Sequence, residues 1–194
     1  GGGGAATVVL LALILVGVMA FTALLNATIE RVAYRPLRRA PRLAPLISAI
    51  GVSFILVNVG QHWHGASQVH FPEVIPAHNL LEGLETSIVY TTKDLAVLLV
   101  AVPLMLGLTL LVHRTRIGQA MRAAAQDREA ASLMGVDINR TITVTFVLGG
   151  ALAGAAGLIF AAYNNYVWFQ QGFRFGLLAF TAAVFGGIGN LRGA

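Results

Sequence analysis

Cysteine is absent from this chain of 194 residues, which excludes disulfide frameworks and thiolate metal sites alike. Charge is nearly as scarce. Asp, Glu, Lys and Arg make up 11% of the residues, against about 25% in soluble domains. Ionisable side chains are almost missing from the long apolar runs, which weighs against proton- or ion-coupled pumping, because that chemistry places such groups inside the bilayer. Also missing are a Walker A lysine loop, a nucleophile elbow and a carboxylate pair, so covalent chemistry is not expected and the chain does not read as an enzyme. No charged n-region precedes the first apolar run, which opens on Gly1 to Gly4, so a cleavable signal peptide is not supported. The chain stops at Gly193-Ala194 straight after a glycine cluster, and a fragment of a longer protein is expected.

What is present is grease. Hydrophobic residues make up 57% of the chain, and the mean hydropathy is +0.77. Residues 5–26, 43–60, 95–113 and 141–162 each approach the roughly 20 apolar residues that a membrane helix needs. Pro45 is tolerated in a first helical turn, whereas Pro103 predicts a kink. Residues 176–189 are apolar over only about 14 positions, which fits a re-entrant or broken helix better than a full crossing. The expected fold class is therefore all-α: a polytopic integral membrane protein with about four transmembrane helices and a short or broken fifth apolar segment, forming one domain over 1–194.

The net charge of +5 and the isoelectric point near 10.4 do not point to nucleic acid, because the basic residues are confined to two loops. Arg31, Arg35, Arg38, Arg39 and Arg42 fill the first, and Arg114, Arg116, Arg122, Arg128 and Arg140 fill the third. Between them, residues 61–92 contain no Lys or Arg but carry Glu73, Glu82 and Glu85. The positive-inside rule makes the two Arg loops cytoplasmic and the acidic loop external. The first loop, Glu30 to Arg42, can fix topology alone or also hold anionic headgroups or a partner, and Pro36 and Pro41 argue against one continuous helix there.

Within the third loop, residues 116–135 read as a single Ala-rich helix that ends at Gly135. Arg122, Asp127, Arg128 and Glu129 have no opposite charge three or four positions away, so this helix keeps its charges free for another protein.

Other features have plainer readings. His62, His64, His70 and His78 crowd the external loop without a recurrent ligand spacing, so a solvated loop is preferred over a metal site, with Trp63 at the interface. Gly149 to Gly157 places small residues, Gly150 and Gly154 among them, on one helical face, a packing seam rather than a substrate path. Gly186 to Gly193 lacks the third glycine and the preceding strand of a dinucleotide fingerprint, and instead suggests non-helical backbone lining a cavity. Sequons at Asn26 and Asn139 fall on the cytoplasmic side and are chance matches.

Several stretches resemble one known family. They are residues 30–38 (Glu30-Arg31-Val32-Ala33-Tyr34-Arg35-Pro36-Leu37-Arg38), 46–51, 116–140, 145–154, and 179–194 from Ala179-Phe180-Thr181 to Gly193-Ala194. In order and content they are similar to the Liv-type permeases, membrane subunits of bacterial importers for branched-chain amino acids. Leu178 stands where the family often has Lys, and Arg192 where it often has Pro. The family's upstream Asn-Phe-Ala-His-Gly stretch and its last spans are absent.

The resemblance implies a multi-pass subunit of the bacterial inner membrane. It would work with a second permease subunit, two cytoplasmic ATPases and a periplasmic substrate-binding protein, with ATP bound by the partners and no cofactor in this chain. It also implies a cytoplasmic coupling helix that includes Gly118, Arg122, Ala125, Asp127, Arg128, Glu129, Ala130, Leu133 and Gly135 and moves as a rigid lever. The translocation path would pass Phe180, Thr181, Gly186, Gly187 and Gly189. Alternatives that stay open are a permease for urea, a short amide or a simple sugar, an ATPase-independent channel or secondary carrier, and a non-transporting scaffold.

Overall fold

The computed structural model describes residues 3–39, 44–73 and 91–187. His78, Glu82, Glu85, Arg42 and Gly189 therefore lie outside the described residues. Each apolar run forms a helix: α1 (Gly3–Ile29), α2 (Ala44–His64), α3 (Thr92–Arg114), α6 (Ile138–Asn164) and α7 (Gln171–Gly186). Two short helices, α4 (Arg116–Gln126) and α5 (Arg128–Leu133), join α3 to α6. Among the described residues, three helical stretches are long and apolar enough to cross a bilayer, namely Val9–Tyr34, Thr92–Arg114 and Ile138–Asn164. The apolar stretch Ile47–Trp63 of α2 is shorter. At 16 residues, α7 spans about 24 Å, below a hydrocarbon core of about 30 Å.

Helices are the form that satisfies every backbone group without water, and the polar side chains follow suit. Thr22, Thr28, Thr109 and Thr145 donate to the carbonyls of Val18, Leu24, Met105 and Thr141, four residues back in each case. α3 runs unbroken through Pro103.

The first Arg loop departs from α-geometry where its prolines predict. Glu30–Tyr34 forms one π turn, closed by the Arg35 N–H on the Glu30 carbonyl at 2.8 Å. A 3-10 turn follows over Pro36–Arg39.

α1 packs most extensively on α6, and the pairing is antiparallel: Val18 and Thr22 lie against Gly154, Asn26 against Gly150, and Glu30 against Thr143. The two glycines permit this approach. A Cβ on Gly150 would stand 2.6 Å from both the Asn26 Cβ and the Thr22 carbonyl, and one on Gly154 would run into the Thr22 hydroxyl. Gly154, Ala155 and Ala161 are buried. The glycine run is thus a packing seam, since lipid gives helices no hydrophobic reason to associate and close contact must substitute. At its lower end Glu30 is fully buried, its carboxylate accepting the Thr143 hydroxyl at 2.9 Å, and Tyr34 packs on Phe146 with ring centroids 4.9 Å apart.

At the opposite end α3 and α6 are tied by side chains. Asp94 accepts from the Thr91 N–H and hydroxyl, at 2.9 and 2.6 Å, and from the Tyr163 hydroxyl at 3.0 Å. Lys93 donates to the Tyr163 carbonyl at 3.4 Å and stands 3.7 Å from Glu73 of the acidic loop. A pairing absent from the sequence reading joins the same end: β1 (Val69–His70) runs antiparallel to β2 (Tyr166–Val167). The acidic loop and the turn after α6 therefore share one face, and the Arg-bearing connectors the other, as the charges require.

Gly154→Leu should lower the unfolding midpoint of the detergent-solubilised protein, at a cost on the order of 1–3 kcal/mol for forcing the seam apart. Gly157→Leu, where a Cβ meets nothing within 4 Å, should change little. Equal shifts for the two variants would show that the seam does not hold α1 to α6.

Candidate functional site

The segment between α3 and α6 is built by a chain of caps. Thr115, extended at φ −102° and ψ 158°, ends α3 and starts α4. Its hydroxyl donates to the Leu111 carbonyl at 2.6 Å and accepts from the Gly118 N–H at 3.1 Å. Gly118 is buried where α4 folds back on α3, and a Cβ there would strike the Val112 carbonyl. Arg122 donates to that same carbonyl, pinning the next turn of α4 to the end of the span.

The expected single helix is two. Asp127 sits at φ −150° and ψ 115°, outside helical geometry, and serves as C-cap of α4 and N-cap of α5. Its carboxylate accepts from the N–H groups of Glu129 and Ala130, at 2.9 and 3.1 Å. The propensities on both sides favour helix, but an Asp side chain that satisfies two orphan donors holds the chain in a break. Glu129, in the first turn of α5, adds negative charge where the helix dipole favours it.

α5 closes on a Schellman turn: the Gly135 N–H reaches the Ser132 carbonyl and the Val136 N–H the Ala131 carbonyl, both at 3.0 Å. Gly135 takes φ +85°, which an L side chain rarely adopts. Asp137 then caps α6 through the Arg140 N–H at 3.0 Å.

The proposed coupling residues thus sort by position. Gly118 and Gly135 shape the backbone, Arg122 and Asp127 hold it, and Ala125, Arg128, Glu129, Ala130 and Leu133 are exposed. The expectation that all four charges stay free is corrected for Arg122 and Asp127, which bind backbone groups. Sequence reasoning missed Met134. Leu133 is 87% and Met134 85% exposed, side by side at the end of α5 in a polar connector. Adjacent exposed apolar residues held by a rigid turn form a ready anchor for another protein.

The candidate path residues lie on α7. Phe180 is 64% exposed, and the Thr181 hydroxyl donates to the Leu178 carbonyl at 2.8 Å. Gly186 is the last residue of α7, and Gly187 leaves it at φ +91°, while the rest of the glycine cluster lies outside the described residues. Among the described residues, no group of three or more His, Asp or Glu side chains is placed to hold a metal ion.

The model of the family described as "Branched-chain amino acid transport system / permease component" matches residues 2–194. The chain belongs to this family. It is 39% identical over 174 residues to the high-affinity branched-chain amino acid transport system permease protein BraD of Pseudomonas aeruginosa, covering 89% of this chain and 57% of that protein. It is 39% identical over 182 residues to the corresponding protein LivH of Escherichia coli (strain K12), covering 92% of this chain and 58% of that one. With LivH of Salmonella typhimurium the identity is 40% over 168 residues, 86% of this chain and 54% of the other. The chain thus spans little more than half the length of these relatives. No solved structure matches it. Membership in a permease family, three spanning helices and the scarcity of charge make this an integral membrane protein of a transport family, not a member of an enzyme family.

Asp127→Ala should free the start of α5, at about 0.5–2 kcal/mol for a lost N-cap. Hydrogen exchange at the Glu129 and Ala130 amides should quicken while α6 keeps its protection, and Asp127→Asn should restore the slow rates. Unchanged exchange in the Ala variant would show that the cap does not set the break.

Proposed function

We propose that this chain is the membrane permease subunit of an ATP-driven importer and that it passes branched-chain amino acids across the bacterial inner membrane. The observation that carries the reading is the capped α4–α5 elbow, with Leu133 and Met134 outermost on the face that the arginines make cytoplasmic. Two cytoplasmic ATPases bind and hydrolyse the ATP, one of them gripping this elbow. A second permease subunit completes the path, and a periplasmic binding protein delivers the ligand. Family membership and the named permeases it resembles support the substrate class and this set of partners.

The elbow's geometry sets how force enters. Gly118 and Arg122 fix α4 to the end of α3, and Asp137 joins α5 directly to α6, so a pull on α5 reaches both spans. Because Asp127 interrupts the helix, α5 is a short head on a stiff arm rather than the end of one long rod. Rocking of α3 and α6 would then alternate access. The ligand would pass α7 near Phe180, Thr181 and the glycines 186, 187 and 189.

Leu133→Asp combined with Met134→Asp should weaken the grip of the ATPase by about 30-fold, the effect of losing about 2 kcal/mol at an interface hot spot. Uptake by the assembled transporter should fall while membrane insertion stays normal. Wild-type coupling of ATP hydrolysis to uptake in this double variant would rule out the elbow as the contact.

A further inference from the structure

Arg174 is the single charged residue of α7, and neither the α4–α5 elbow nor the path assigned to α7 uses it. It stands in the first turn of that helix, a few residues after β2, and so at the external end. Among the described residues it makes no hydrogen bond or ion pair. Its side chain instead lines a cavity of about 400 Å³ between α2 and α7, with Phe54, Val57 and Phe173 as apolar walls and Ser53 and Gln170 as neutral polar groups. A second cavity of about 360 Å³ shares Ser53, Val57 and Phe173 with the first and continues past Gly172 and Gly176. A Cβ at either glycine would meet nothing within 4 Å, so the furrow stays open along α7.

Arg174 is exposed, and its guanidinium beside an apolar wall suits an anion with a greasy tail. We infer that this cavity is an external capture site for an aliphatic α-amino acid, with Arg174 holding the carboxylate. The guanidinium fork matches a carboxylate in bidentate fashion. Ser53 and Gln170 offer acceptor oxygens to the ammonium group, and Phe54, Val57 and Phe173 receive the side chain. The volume falls in the range of about 300–1,000 Å³ common for small-molecule pockets. A lipid phosphate fits less well, because recognition of anionic headgroups rests on clusters of about four to eight cations, and among the described residues Arg174 is the one cation in this lining.

The inference rests on the importer reading, and the test separates the two. The full-length permease, assembled with its partner subunits but without the binding protein, is titrated with radiolabelled leucine in lipid nanodiscs. Saturable binding is expected, with leucinamide, which lacks the carboxylate, a poor competitor. Arg174→Gln should weaken binding by about 10- to 100-fold, as expected for losing a charge-assisted bond, and Arg174→Lys by less. Equal competition by leucine and leucinamide on the wild type overturns the site without any variant. So does unchanged affinity in Arg174→Gln, or an effect of that variant seen only when phosphatidylglycerol is added to the nanodiscs. Leucine uptake by the wild-type complex with its binding protein is measured in parallel. Uptake without binding at Arg174 sinks only the capture site, whereas no uptake at all sinks the importer reading and this inference with it.

Discussion

The close approach of α1 to α6 at Gly150 and Gly154 is the contact on which the rest of the arrangement depends. In a bilayer the helices gain little by hiding from their surroundings, and most of their apolar side chains here face outward. What fixes one helix against another is backbone proximity and a few polar contacts. The two glycines bring the Thr22 and Val18 carbonyls against α6, and the Glu30–Thr143 bond sets the depth of the pair. Once α1 and α6 are locked antiparallel, the connectors at each end have no freedom to choose a side.

The two ends are then built differently. The end that carries the acidic loop is a mesh of side-chain bonds among Thr91, Lys93, Asp94 and Tyr163, together with a short strand pair that ties that loop to the turn after α6. The arginine-bearing end is a run of helix caps in which Thr115, Asp127, Gly135 and Asp137 each stop one helix or start the next. Caps define the direction of a short helix sharply while leaving its outer surface uncommitted. That combination suits a docking element, and it explains how a segment poor in core contacts can still present Leu133 and Met134 at a fixed place.

Much of this was legible in the sequence. Apolar runs located all five long helices, and Arg placement ordered the loops, because both signals are summed over many residues. The small-residue face on α6 was legible as a seam, although its partner α1 was not, since α1 is apolar all round and presents no face by pattern alone. The break at Asp127 was missed because Ala, Gln and Glu on either side favour helix, and one capping carboxylate outweighed them. An Asp followed by a Glu two places on is itself a helix-start signal and marks the break in retrospect. Met134 was overlooked because exposure of a single apolar side chain depends on the turn that carries it. Arg174 and the β1–β2 pairing were hidden for a related reason: both acquire meaning only when distant segments meet at one end of the bundle.

The central claim is that the seam places both arginine-bearing connectors on one face of the membrane and the β1–β2 end on the other. These 194 residues contain no cysteine, so single cysteines placed at positions 35, 128 and 68 of an otherwise cysteine-free protein can be probed in intact spheroplasts with a membrane-impermeant maleimide. The account predicts labelling at 68 in intact spheroplasts, and at 35 and 128 only after the membrane is opened. Labelling of 35 and 128 from opposite faces would contradict it.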